Sequence, residues 1–101
     1  MLGLGIESTA HTFSCAVVER KGKHGEILSD VRKIYAPPDG EGIHPREASR
    51  HHVENSSATL VESLKEANVS VTDLDMISYA AGPGLGPCLR VGAVVSRALA
   101  S

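Results

Sequence analysis

The apolar and polar positions fall into six segments. Residues 1–6 are apolar with glycines at 3 and 5, a pattern suited to a buried central strand. A compact polar turn follows, Glu7-Ser-Thr-Ala-His-Thr12, and then a second apolar run over 13–18. Charged residues 19–25 close that run. Residues 27–35 alternate more weakly and predict a third strand nearer a sheet edge. Three strands joined by short turns form an antiparallel meander. The breaker-rich segment Pro37-Pro-Asp-Gly-Glu-Gly42 separates it from a helix for which Pro45 suits the first position. Val53, Ser57, Leu60, Leu64 and Ala67 recur at helical spacing and predict one buried stripe, widened by Val61. Residues 68–73 end that helix, and 74–80 read as a short, largely buried strand.

Three glycines and two prolines within 82–87 predict a sharp strand-to-helix turn, with a final helix over 88–100. The order is β-β-β-α-β-α, an α/β arrangement with a crossover after the meander. The last helix is built almost wholly from small and apolar residues, so it requires cover on most sides. Gly92, Ala93 and Ser96 would admit a neighbouring helix closely. The chain stops at Ser101 inside this helical pattern without a cap, the expected look of a fragment of a longer protein.

Composition narrows the class. The 101 residues are 42% hydrophobic and 22% charged with a net charge of −2, which allows one modest core and provides no basic field for nucleic acid. Only Phe13, Tyr35 and Tyr79 are aromatic, too few for a base-stacking platform. Cys15 and Cys88 lie singly in apolar segments, without the spacing of a zinc or redox motif, and read as buried free thiols of a reducing compartment. No apolar stretch reaches membrane-spanning length and no signal-type core is present, so a cytoplasmic location is expected.

Two stretches have the composition of a ligand site. Glu7, Ser8, Thr9, His11 and Thr12 crowd the turn after the central strand; hydroxyls and backbone amides can hold phosphate oxygens, while Glu7 can orient a polar ligand group. The competing reading is a polar hairpin turn whose hydroxyls bond their own backbone. Gly82, Gly84 and Gly86 let amides approach an anion at the start of a helix, where the dipole is positive. This spacing is neither G-x-G-x-x-G nor a P-loop, so a tight connection packed for geometry alone competes equally. Arg90, in the first turn of that helix, places a cation where the dipole disfavours it and suggests an anion or acidic partner nearby. His44, His51 and His52 invite a metal reading. Adjacent helical residues point about 100° apart, however, so histidines that pin the 37–43 loop are favoured over ligands.

Three co-linear segments together resemble one family: Gly5-Ile-Glu-Ser-Thr-Ala-His-Thr12, Gly42-Ile-His-Pro-Arg-Glu-Ala-Ser-Arg-His-His52 and Gly82-Pro-Gly-Leu-Gly-Pro-Cys-Leu-Arg-Val-Gly92. They are similar to the N-terminal lobe of the TsaD/KEOPS catalytic subunits, formerly named O-sialoglycoprotein endopeptidases, and to the archaeal and eukaryotic branch more than the bacterial one. The resemblance implies an actin-like ATPase (ASKHA) fold. It implies transfer of a threonylcarbamoyl group from its adenylate to N6 of adenosine 37 in tRNA, with ATP or that adenylate and an iron or zinc ion bound by the whole enzyme. On this basis Glu7 to Thr12 face the phosphates or the adenylate. The family's metal ligands, a His-x-x-x-His segment and a later Asp, would fall after residue 101, so no metal ligand is assigned within the chain. Most of the nucleotide pocket would belong to a second lobe, and the chain alone is expected to be inactive.

The resemblance also implies partners: tRNA, the atypical KEOPS kinase, and a small dimerising KEOPS subunit docked by helices 45–67 and 88–101. The chain read only as an interaction module for that small subunit is a reading of a different class. A non-catalytic ASKHA scaffold is a third, weakened by the intact Glu7 turn; a sugar kinase of the same class would carry Asp where Glu7 stands.

Overall fold

The computed structural model describes residues 1–8, 12–36, 42, 45–82, 84 and 86–100. Its elements are β1 (Leu2–Glu7), β2 (Thr12–Lys21), β3 (His24–Ile34), α1 (Pro45–Ala67), a 3₁₀ turn (Val71–Asp73), β4 (Met76–Tyr79) and α2 (Gly86–Ala100). This is the predicted order. The sheet runs β3-β2-β1-β4, antiparallel except where β4 lies parallel to β1. β1 is therefore central and β3 an edge, as the patterning implies.

Both helices pack on one face of this sheet. Leu4, Ile6, Phe13, Cys15 and Val17 point to that face and form the core with Leu64. Leu60 and Ala67 of α1 and Val91, Val95 and Leu99 of α2 close over it. Burial pushes the Cys15 thiol up to about 12 and raises that of Cys88, which in each case favours the neutral thiol over the thiolate. Asn68, at φ 57°, ends α1: its N–H donates to Lys65 C=O at 3.1 Å and Val69 N–H to Leu64 C=O at 3.1 Å. That double bond is a Schellman cap with Asn in the left-handed position usually held by Gly. At the far end of the sheet, Asp75 N–H and Leu2 C=O bond at 2.8 Å, and Leu2 N–H donates to Asp75 Oδ2 at 2.8 Å, fixing the register of β4 on β1.

Four expectations need correction. The buried face of α1 does not follow the valines: Val53 and Val61 are 61% and 57% exposed and Ser57 is exposed, while Ala48, His52, Thr59, Ser63 and Leu64 are buried. The hydroxyls can go inside because the helix satisfies them, Thr59 Oγ1 donating to Asn55 C=O at 2.7 Å and Ser63 Oγ to Leu60 C=O at 2.8 Å. β4 is shorter than predicted and mostly exposed, as an edge strand with one apolar side chain, Ile77, turned toward the core. α2 starts at Gly86, two residues early; Pro87 fits its first turn because the missing N–H has no intrahelical acceptor there. Thr12 opens β2 opposite Ile34 and is not a turn residue.

Candidate functional site

β1 and β4 are the parallel pair, and their carboxyl ends lie side by side, with Ile6 opposite Tyr79. From there one chain turns back into β2 and the other enters the glycine-rich connection to α2. A crevice outside the carboxyl ends of parallel strands, where successive connections diverge, is the usual ligand position in open α/β sheets.

Glu7 is the last residue of β1 and is exposed. It pairs across the sheet with Ser14, which pairs with Arg32, so the three share a row on the face opposite the core. The Arg32 guanidinium is held protonated first by its hydrogen bond to Asp30, at 2.9 Å, and also by the negative charge of Glu7. Gly5, Glu7, Ser14, Ala16, Ser78 and Tyr79 line a shallow depression of about 380 Å³ beside this row. Its floor is open because its residues are small. A Cβ on Gly5 would meet only ordinary contacts, the nearest being Ser78 Oγ at 3.8 Å, so the chain's own packing does not demand glycine there. The patterning missed Ser14, Ala16 and Ser78. The alternation of Thr12, Ser14 and Ala16 with Phe13, Cys15 and Val17 marks the first two as outward and small.

Ser8 does something else. Its side chain is fully buried and points away from the depression, into α2. Its hydroxyl donates to Cys88 C=O at 2.7 Å and accepts from Gly92 N–H at 3.0 Å. It is therefore not a ligand-facing hydroxyl, which corrects the assignment of Ser8 to the phosphates. Thr9 and His11 lie outside the described residues, and Thr12 is half-buried at the start of β2.

Gly82 has φ +151°, a conformation few other residues adopt, and leads the chain from β4 toward α2. Gly84 and Gly86 are exposed at the α2 N-terminus. Arg90 is not in the first turn: with α2 beginning at Gly86 it faces a groove between the helices, with Val53, Ser56, Val91, Val94 and Val95. Gly92 and Ser96 are buried within the lobe, because Gly92 packs on Ser8, so they cannot form the expected contact with a neighbouring helix. The Ala93 side chain lies outside the described residues.

The histidine pair lies closer together than helical geometry predicts. His51 Nδ1 and His52 Nδ1 are 3.2 Å apart, and their rings pack on Tyr35 and Phe13 respectively. Tyr35 Oη donates to Glu47 Oε2 at 2.9 Å beside them. Among the described residues no group of three or more His, Cys, Asp or Glu converges as a metal would require. His44 and most of the 37–43 loop, which the pair was expected to pin, lie outside the described residues.

The sequence model of the family described as "TsaD: tRNA N6-adenosine threonylcarbamoyltransferase" matches residues 26–101. A tRNA N6-adenosine threonylcarbamoyltransferase of Pyrobaculum islandicum is 56% identical over 100 residues, 99% of this chain and 29% of that protein. One from Ignicoccus hospitalis is 50% identical over 101 residues, 100% of this chain and 30% of that protein. The chain thus spans under a third of the length of the curated relatives it matches. Among solved structures, YeaZ from Pseudomonas aeruginosa superposes with a TM-score of 0.71 at 17% identity, covering 99% of this chain and 40% of YeaZ. That likeness concerns the fold, which is an ASKHA lobe. Among the described residues no helix is long and apolar enough to cross a membrane.

Proposed function

Because the chain belongs to the TsaD family of tRNA N6-adenosine threonylcarbamoyltransferases, we propose that it is one wall of an active site that moves a threonylcarbamoyl group onto N6 of adenosine 37 in tRNA. The observation that carries this reading is the place of Glu7: an exposed carboxylate at the carboxyl end of the central strand, beside a parallel neighbour and an open, small-residue depression. On this reading the edge takes a nucleotide. The amides of Gly82, Gly84 and the α2 N-terminus would meet its phosphates, and Glu7 would accept a hydrogen bond from a ribose hydroxyl or an amine. The lobe binds and orients; the adenylate, when bound, supplies the activated carbonyl that the N6 amine attacks, with the bond to the phosphate oxygen breaking to release AMP as the amine loses a proton. An iron or zinc ion, where the whole enzyme holds one, would act as a Lewis acid, and the described residues supply no complete ligand set for it. The remaining wall, tRNA contacts and the atypical KEOPS kinase belong to the rest of the protein and its complex, in the cytoplasm.

The experiment is a transfer assay on a full-length protein carrying this sequence. Given threonylcarbamoyl-adenylate and an unmodified tRNA, it should produce N6-threonylcarbamoyladenosine detectable by nucleoside mass spectrometry. Absence of that nucleoside with a folded protein and a competent tRNA contradicts the proposal.

A second reading concerns the small dimerising KEOPS subunit, and it rests on the helix face away from the sheet. Between α1 and α2 runs an apolar groove of about 270 Å³, continued past Ser57, Leu60 and Leu99. It is flanked by Val53 and by Val94, which is 64% exposed. Apolar side chains exposed in a row on two adjacent helices suit a helical partner.

A further inference from the structure

Gly92 and Cys88 are four residues apart in α2, so Gly92 N–H and Cys88 C=O are the two ends of one helical rung. The Ser8 hydroxyl bonds both of them, donating to the carbonyl at 2.7 Å and accepting from the amide at 3.0 Å. A side chain that bonds both ends of an i→i−4 rung ties that turn of the helix to its own backbone. Room for it exists only because residue 92 is glycine. A Cβ there would stand 2.6 Å from Ser8 Oγ, whereas its next neighbours, Ser8 Cβ and Ile6 Cγ2, are at ordinary distances of 3.7 and 3.9 Å. Cys88 carries the joint further: it is fully buried, and its Sγ reaches Pro45 C=O, the first residue of α1, at 3.9 Å.

We infer that Ser8 and Gly92 form a positioning pair that locks the 88–92 turn of α2, and with it the N-terminal end of that helix, to the carboxyl end of β1. Ser8 directly follows Glu7. Any shift of the 88–92 turn is therefore passed to the Glu7 backbone, and the β1 end and the α2 N-terminus keep one spacing. Displacements of about 1 Å at such edges can cost on the order of a hundredfold in rate, which is the reason to spend a buried hydroxyl here. The pair touches no substrate; it acts through its neighbours. This inference rests on the proposed role of Glu7 and the glycine connection.

Ser8→Ala, Gly92→Ala and the double variant, made in a full-length protein carrying this sequence, separate positioning from packing. Gly92→Ala alone should lower the melting temperature by a few degrees, because its methyl meets the hydroxyl. Adding Ser8→Ala removes the obstructing atom and should restore the melting temperature to that of Ser8→Ala. The kinetic defect should persist in both proteins that lack the hydroxyl. The KM for threonylcarbamoyl-adenylate should rise about fivefold or more while the KM for tRNA is unchanged, a split that a mere loss of folded enzyme does not produce. A double variant with wild-type kinetic constants overturns the positioning role, and failure of Ser8→Ala to rescue the stability of Gly92→Ala overturns the pairing. A defective double variant beside a fully active Glu7→Ala leaves the pair standing and removes the Glu7 assignment instead.

Discussion

Glu7 and Ser8 are consecutive, and the pleat sends them to opposite sides of the sheet: one to an open depression, the other into the helix layer. Read as a string of polar residues they looked equivalent. The alternation that buries Leu4 and Ile6 continues to Ser8 and assigns it inward, so this much was legible. That its hydroxyl meets α2 eighty-four positions away was not, because it depends on the crossover placing Gly92 there. Cys15 yields a prediction at the same scale. Its thiol is pushed from the ordinary 9.0 to about 12 by burial, so the folded state favours the neutral form. That stability is fully present below pH 9 and is lost as pH rises from 9 toward 12. Urea unfolding should show wild type losing more stability across that window than Cys15→Ala; parallel losses would contradict it.

Among the elements, α1 shows why a helix can be located and its inner face still misjudged. Periodicity in valines and leucines selects Val53 and Val61, but hydroxyls that bond the preceding turn can be buried without leaving a polar atom unpaired, and Thr59 and Ser63 take inner positions. The consequence is measurable. Leu64→Ala should cost about 2–4 kcal/mol of folding stability, while Val53→Ala and Val61→Ala should stay within about 0.5 kcal/mol. A large loss at either valine would restore the original stripe. The exposed valines then have another use. Val53→Asp and Val94→Asp should abolish co-elution with the small dimerising subunit while circular dichroism shows an unchanged fold; retained co-elution would remove the groove from the interface. The start of α2 was misplaced for a simpler reason. Gly86 and Pro87 read as breakers, yet a first helical turn asks no intrahelical acceptor for its N–H groups.

For the molecule as a whole, the element order, the central place of β1 and the edge place of β3 followed from patterning. The functional edge emerges only when β1 and β4 come together, since their paired residues lie more than seventy positions apart. One lobe provides one wall, and ligands of this kind are held by enclosure. The isolated 101-residue chain should therefore show no micromolar ATP binding by isothermal titration; such binding would mean the lobe holds a pocket of its own. The account's central claim is that the Glu7 edge faces the reacting group. The most direct measurement is the initial rate of threonylcarbamoyl transfer by a full-length protein carrying Glu7→Ala, compared with wild type at equal melting temperature. The predicted result is a loss of more than tenfold, over about 1.4 kcal/mol of transition-state stabilisation. Near-normal turnover would contradict it, leaving the carboxyl end of β1 as a structural hairpin.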